Sequence, residues 1–267
     1  MDQNYKTVKI EKLTKHIILI TLNRPEASNA FNTLMAKELT DLFENLTLNT
    51  NDQRVLILTG SGNRAFCAGG DLKERNGMTD AQWVKQHLVY EKMARTIIEC
   101  PIPIIGAING AAYGGGCELV AMLDFVYVSE NAKFAQTEVK LGIIPGAGGT
   151  QTLTRAIGER RAKELILTGK TFNATQAYEW GLANAVFPIS ELIPAAIKTA
   201  ELIAKNAPIA VRQAKQAIHK GLQMSLSDGM SFEIEAYNRT VPTNDRSEGV
   251  AAFNEKRPPN FKGHQYV

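Results

Sequence analysis

The sequence predicts an α/β core followed by a helical C-terminal region, on two observations. Short β-branched runs bounded by turn residues alternate with amphipathic stretches, the pattern of strands and helices packed in layers. From about Ser190 onward the helical pattern continues without a convincing strand.

In chain order, residues 16–22, 54–59, 103–108 and 125–128 are apolar, short and rich in Ile, Val and Leu, so they read as buried strands. Between the first two, Met35, Leu39, Leu42, Phe43 and Leu46 recur at helical intervals over residues 34–46, and residues 83–98 are similarly amphipathic. Residues 192–204, 209–222, 226–239 and 247–256 read as four further helices. Their connectors are short, so this region is expected to pack on the core or on a neighbouring subunit. The division is residues 1–195 for the core and 196–267 for the helical region. At 267 residues and 44% hydrophobic content the chain can bury a substantial core.

Lys and Arg number 30 against 27 Asp and Glu, a net charge of +3. That excess is too small and scattered for a nucleic-acid surface, although single basic residues can still hold phosphates. No run approaches membrane-spanning length, and the opening Met1-Asp2-Gln3-Asn4 has polar residues where a secretory signal needs an apolar stretch. Cys67, Cys100 and Cys117 have no metal-like spacing and fit small buried fillers in a reducing compartment. A cytoplasmic protein is expected.

Two glutamates carry the chemistry. Glu118 closes Gly114-Gly115-Gly116-Cys117-Glu118, and Glu138 precedes the glycine-rich Gly142 to Gly149 segment. Carboxylates are costly to bury, so two of them among glycines and apolar residues suggest paired acid/base work. Gly69-Gly70-Asp71 and Gly114-Gly115-Gly116 let backbone N–H groups approach a ligand closely, and two such loops can form an oxyanion hole. Read singly, each glycine run fits a tight turn equally well. Gly60-x-Gly62-x-x-Ala65 superficially matches a dinucleotide fingerprint, but more glycine-rich loop follows where a helix must open. His16, His87, His219 and His264 lie outside every glycine-rich segment, which favours surface or core roles over catalysis.

At these residues the chain resembles the enoyl-CoA hydratase/isomerase, or crotonase, family. The likeness runs from Leu22-Asn23-Arg24-Pro25-Glu26-Ala27 through Ala65-Phe66-Cys67-Ala68-Gly69-Gly70-Asp71-Leu72-Lys73 and Asn109-Gly110-Ala111-Ala112-Tyr113-Gly114-Gly115-Gly116-Cys117-Glu118. It continues through Phe134-Ala135-Gln136-Thr137-Glu138 and Ile144-Pro145-Gly146-Ala147-Gly148-Gly149-Thr150 to Phe253-Asn254-Glu255-Lys256-Arg257. The resemblance implies a crotonase-like spiral of ββα turns and a C-terminal helical region that forms homotrimers, commonly stacked as hexamers.

It also implies that the N–H groups of Gly70 and Gly115 bind a thioester oxygen and that Ala68 lies along the adenine end of coenzyme A. Arg24, Lys73 and Lys256, basic and beside matched motifs, are expected near the coenzyme's phosphates. The motifs add Ala27, Asp71, Leu72, Gly114, Pro145, Gly146 and Phe253 as expected substrate contacts. Family members often have Ala where this chain has Gly70 and a bulkier residue at Ser28; the first change keeps the backbone donor. With both glutamates present, the implied reaction is addition of water to a trans-2-enoyl-CoA, Glu118 activating the water and Glu138 handling the C2 proton, with no metal or redox cofactor. Double-bond isomerisation is the nearest alternative, and a catalytically silent CoA-ester-binding protein a remoter one.

Overall fold

A computed structural model of the chain describes residues 5–50 and 52–263. Met1 to Asn4 and His264 therefore lie outside the described residues. β1 (Val8–Lys12) and β2 (Ile17–Leu22) form an antiparallel hairpin. A 3-10 turn, Pro25–Ala27, leads to α1 (Thr33–Leu48), whose start is fixed by the Asn32 side chain accepting the Met35 N–H at 3.0 Å. Then come β3 (Val55–Gly60), β4 (Ala65–Cys67), the single turn α2 (Leu72–Arg75) and the long α3 (Asp80–Ile98). The same β–β–α order recurs with β5 (Ile104–Ile108), β6 (Ala111–Tyr113) and α4 (Gly115–Met122). It recurs again with β7 (Phe125–Ser129), β8 (Lys133–Ala135), a 3-10 turn at Glu138–Leu141, α5 (Gly149–Ile157) and α6 (Glu159–Thr168). β9 (Phe172–Asn173), α7 (Ala174–Glu179) and β10 (Ala185–Phe187) complete the core, and α8 (Ile189–Ala204), α9 (Pro208–Gly221), α10 (Leu226–Asn238) and α11 (Asn244–Asn254) follow.

Each ββα turn gives its first strand to one sheet and its second to another. The larger sheet runs β1-β2-β3-β5-β7-β10 and the smaller β4-β6-β8-β9, so successive turns stack as a spiral. The inner strands of the larger sheet are parallel and covered on both faces, which is why they read as unbroken apolar runs. Leu56, Leu58, Ile104 and Ile108 face the main core with α1 and α3. Val55, Ile57, Ile105 and Ala107 alternate with them and meet Leu192, Ala196 and Ala200 of α8.

The four strands expected from sequence are β2, β3, β5 and β7. The smaller sheet escaped notice because its strands are two or three residues long, too short for a period to register. The Gly60-to-Ala65 loop runs between β3 and β4, so no helix opens there for a pyrophosphate. α8 crosses residue 195 while lying on the larger sheet. α11 starts at Asn244, ahead of the expected residue 247, because Thr243 caps it by accepting the Arg246 N–H at 3.2 Å. α9 and α10 pack against each other where Gly221 and Gly229 approach closely. They leave Leu222, Leu226, Met230 and Ile234 exposed. Among the described residues no helix is long and apolar enough to cross a membrane.

Since α8 holds the larger sheet through a small satellite core, Leu192→Ala should cost about 2–5 kcal/mol. The urea unfolding midpoint measures it; an unchanged midpoint would show that α8 is not anchored there.

Candidate active site

Three turns of the spiral deliver their loops to one cavity of about 100 Å³. The first is the loop after β4. Phe31 bridges to it in parallel register, its N–H donating to the Gly69 carbonyl and its own carbonyl accepting the Asp71 N–H, both at 2.9 Å. The Gly70 N–H between them takes no part in this pairing, and Gly70 itself lines the cavity. Asp71 then caps α2, accepting the Lys73 N–H at 3.0 Å, and pairs with Arg24 Nη2 at 2.9 Å. Arg24 Nη1 donates to the Ala30 carbonyl at 2.6 Å, which ties the loop to the turn before α1. The Asp71 carboxyl stays below its ordinary range because the Arg24 pair and the α2 amides outweigh its burial.

The second loop joins β6 to α4. Gly69 has φ +90°, and a Cβ there would lie 2.7 Å from the Tyr113 carbonyl and 3.0 Å from the Gly115 nitrogen. Only a glycine lets these two loops touch. Gly115 is the first residue of α4, where an N–H has no partner within the helix. Gly70 and Gly115 both line the cavity.

α4 also carries Glu118, 3% exposed. Its Oε1 accepts the N–H groups of Ala147 at 2.8 Å and of Gly149 at 2.7 Å. Gly149 is the first residue of α5, so the positive end of that helix faces the carboxylate. A Cβ at Gly149 would meet Glu118 Cγ at 2.7 Å, which explains the bare backbone of the glycine-rich loop. Burial raises the Glu118 carboxyl above its ordinary value, and the backbone donors hold it back.

Glu138, 7% exposed, begins the 3-10 turn after β8. Burial pushes its carboxyl up to about 7, with the charge of Glu118 adding to the effect. The fully buried Gln136 lies beside it; with its NH₂ turned to the carboxylate, as the hydrogen bonding requires, it donates to Oε2 at 3.1 Å and Oε1 at 3.2 Å. The result is one carboxyl firmly bonded by backbone donors and one poised to hold a proton at neutral pH, both lining the cavity with Gly70 and Gly115. Such a site can do acid–base chemistry beside a polarised carbonyl.

Ala68, Leu72, Gly114 and Gly146 join these four on the cavity wall. Pro145 is buried next to Gly146, and Ala27 ends the 3-10 turn beyond Arg24. Arg24 and Asp71 bond to each other and stand behind the first loop. Lys73 is exposed and outside the lining. Phe253 and Lys256, at the end of α11, are not on this cavity; Phe253 borders a separate hollow of about 410 Å³ with Val250 and Phe261. The three cysteines are buried and free, and burial pushes the Cys67 thiol up to about 12, far from a nucleophile.

On the wall supplied by α2 and α3 the sequence reading named Leu72 and did not single out Arg75, His87 or Tyr90. His87, set apart there as a surface or core residue, is half-buried against the Gly146 backbone, and a Cβ at Gly146 would run into its ring. Tyr90 and Arg75 line the cavity from the same side. Nothing in an amphipathic helix pattern distinguishes a residue facing a cavity from one facing solvent, so no local signal marks them.

The cavity sits on an α/β spiral and is lined by two buried carboxyl groups and by the backbone of Gly70 and Gly115. Residues 12–264 match the family model described as Enoyl-CoA hydratase/isomerase. YngF of Bacillus subtilis, a protein named for that family, is 46% identical over 257 residues, covering 96% of this chain and 97% of that one. A short-chain-enoyl-CoA hydratase of Clostridium acetobutylicum is 40% identical over 252 residues, 94% of this chain and 95% of its own. The crystal structure of an enoyl-CoA hydratase from Bacillus anthracis superposes with TM-score 0.94 at 44% identity, covering 97% of this chain and all of that one. The chain belongs to the enoyl-CoA hydratase/isomerase family, and its fold is the crotonase fold.

The raised carboxyl makes stability pH-dependent. Between the ordinary 4.5 and about 7 the folded protein keeps a proton on Glu138 that the unfolded chain releases. The contribution is therefore fully present below about 4.5 and is lost as pH rises through about 7. Glu138→Gln should shrink the fall in urea midpoint between about pH 5 and about pH 8. An identical fall in the variant would contradict the assignment.

Proposed function

We propose that the protein hydrates a trans-2-enoyl-CoA to a 3-hydroxyacyl-CoA, with coenzyme A as part of the substrate and no other cofactor. The observation that carries this reading is the pair Glu118 and Glu138 at one cavity with the Gly70 and Gly115 N–H groups. Those donors hold the thioester oxygen and stabilise the enolate-like charge that develops on it. Glu118, whose Oε1 is taken by two backbone donors, stays ionised and uses its other oxygen to orient and deprotonate a water. The water oxygen bonds to C3, the double-bond electrons pass toward the thioester oxygen, and as they return Glu138 delivers its proton to C2. Water has then added across the double bond, and the proton taken by Glu118 resets the pair.

Two carboxyl groups are expected to be needed, so Glu118→Gln or Glu138→Gln should each lower hydration of crotonyl-CoA by roughly 10²–10⁴-fold. Affinity for the CoA ester should largely survive. Loss of enoyl absorbance measures turnover; near-normal hydration in either variant would remove that glutamate from the mechanism, and no hydration by the wild type would favour double-bond isomerisation. Wild-type kcat/KM should also decline as pH rises past about 7, where Glu138 gives up its proton.

We further infer that the exposed apolar faces of α9 and α10 assemble the chain into a homotrimer or a hexamer of two trimers. Light scattering on the intact protein should give a trimeric or hexameric mass; an active, well-behaved monomer would contradict it.

A further inference from the structure

We propose that Arg75 selects substrates whose acyl chain carries a carboxylate beyond the double bond, that is, monothioesters of unsaturated dicarboxylic acids. This rests on the CoA-ester reading above and goes beyond it by naming the class of acyl group.

Arg75 is the one cation among the described residues that line the catalytic cavity. It stands at the end of α2, and its guanidinium is held in place on three sides. Nε donates to Gln86 Oε1 at 2.9 Å, the guanidinium carbon lies 4.1 Å from the centre of the Trp83 ring, and the Tyr90 ring is 5.1 Å away. Nearby carboxylates are engaged elsewhere. Glu74 Oε2 accepts the Thr33 N–H and Gln86 Nε2, each at 2.8 Å, and Asp71 is paired with Arg24. Among the described residues no acidic side chain forms an ion pair with Arg75. The side chain is thus braced and half-buried, and among the described residues neither Nη group forms a hydrogen bond or an ion pair.

Its position says which anion fits. A Cβ built on Gly70 would lie 3.8 Å from Arg75 Cζ and 3.9 Å from Nη1. The guanidinium therefore sits beside the backbone donor for the thioester oxygen. The phosphates of coenzyme A are separated from that oxygen by the whole pantetheine arm, so they are the wrong distance away. The acyl group is within reach. A plain alkyl tail laid against Arg75 would strip water from the cation and return nothing, whereas a carboxylate accepts two parallel N–H bonds from the fixed fork. Across the cavity Leu141, Ile143 and Ile144 provide apolar wall for the carbons between thioester and carboxylate.

The test uses saturated thioesters, so that it does not depend on turnover. Glutaryl-CoA and valeryl-CoA have the same number of acyl carbons and differ at the chain end. Calorimetric titration of the intact protein should show glutaryl-CoA binding roughly ten- to a hundredfold tighter. Arg75→Met should abolish that preference, and Arg75→Lys, which keeps the charge and loses the fork, should retain part of it. In turnover, the ratio of kcat/KM for 4-carboxybut-2-enoyl-CoA over crotonyl-CoA should fall by a similar factor in Arg75→Met, chiefly through KM. Equal affinities in the wild type, or a preference that survives Arg75→Met, would overturn the proposal. So would an Arg75→Met variant that loses as much affinity for free coenzyme A as for glutaryl-CoA, which would mark a phosphate contact, or one that loses kcat equally on both enoyl substrates, which would mark a role at the thioester oxygen. A protein that binds glutaryl-CoA selectively through Arg75 yet hydrates neither enoyl-CoA would leave this inference standing and remove the hydration reading.

Discussion

Burying the Glu118 carboxyl where water scarcely reaches is the constraint on which the surrounding structure depends. A buried carboxylate without donors would take up a proton or destabilise the fold by several kcal/mol. Two backbone N–H groups meet it at 2.7 and 2.8 Å, and one of them opens α5. That arrangement dictates glycine at position 149, where a side chain would collide with the glutamate itself, and it fixes how the segment from Gly146 enters the helix. Glu138 has Gln136 but no equivalent cradle, and its carboxyl drifts up to about 7. The difference between the two carboxyls comes from unequal support in a shared low-dielectric space.

The two-sheet spiral makes that support possible. Each turn sends one strand to the larger sheet and the next to the smaller, so three successive loops arrive at the same edge with their backbones nearly touching. The inner strands are locked by alternation between two cores, one under α1 and α3 and the other under α8. A one-residue slip would exchange those cores, so register is strongly specified, and with it the position of the Gly70 and Gly115 amides.

The wall built by α2 and α3 follows a different rule. The glycine loops present backbone, which varies little with side-chain identity, whereas Arg75 and Tyr90 present side chains to the same cavity and His87 packs against Gly146 at its edge. On the proposed reading, backbone donors and paired carboxylates would suit any thioester of the right shape. On that reading, discrimination among acyl groups would fall to this second wall, where charge and size change with single residues.

By itself the sequence determined the α/β class, the four long strands, the helical C-terminal region and, through the ordered motifs from Asn23 to Lys256, the family. These were legible because long apolar runs and glycine-bounded motifs are local, and Glu118 and Glu138 stood out because a carboxylate among glycines is a local anomaly. What the tertiary structure decided were the relations between distant segments. It set the smaller sheet of two- and three-residue strands, the donors from Ala147 and Gly149 to Glu118, the Arg24–Asp71 pair, and the approach of Arg75 and His87. None of these has a period or a motif, since hydrogen bonds and cavity walls form between residues whose separation along the chain bears no relation to their separation in space.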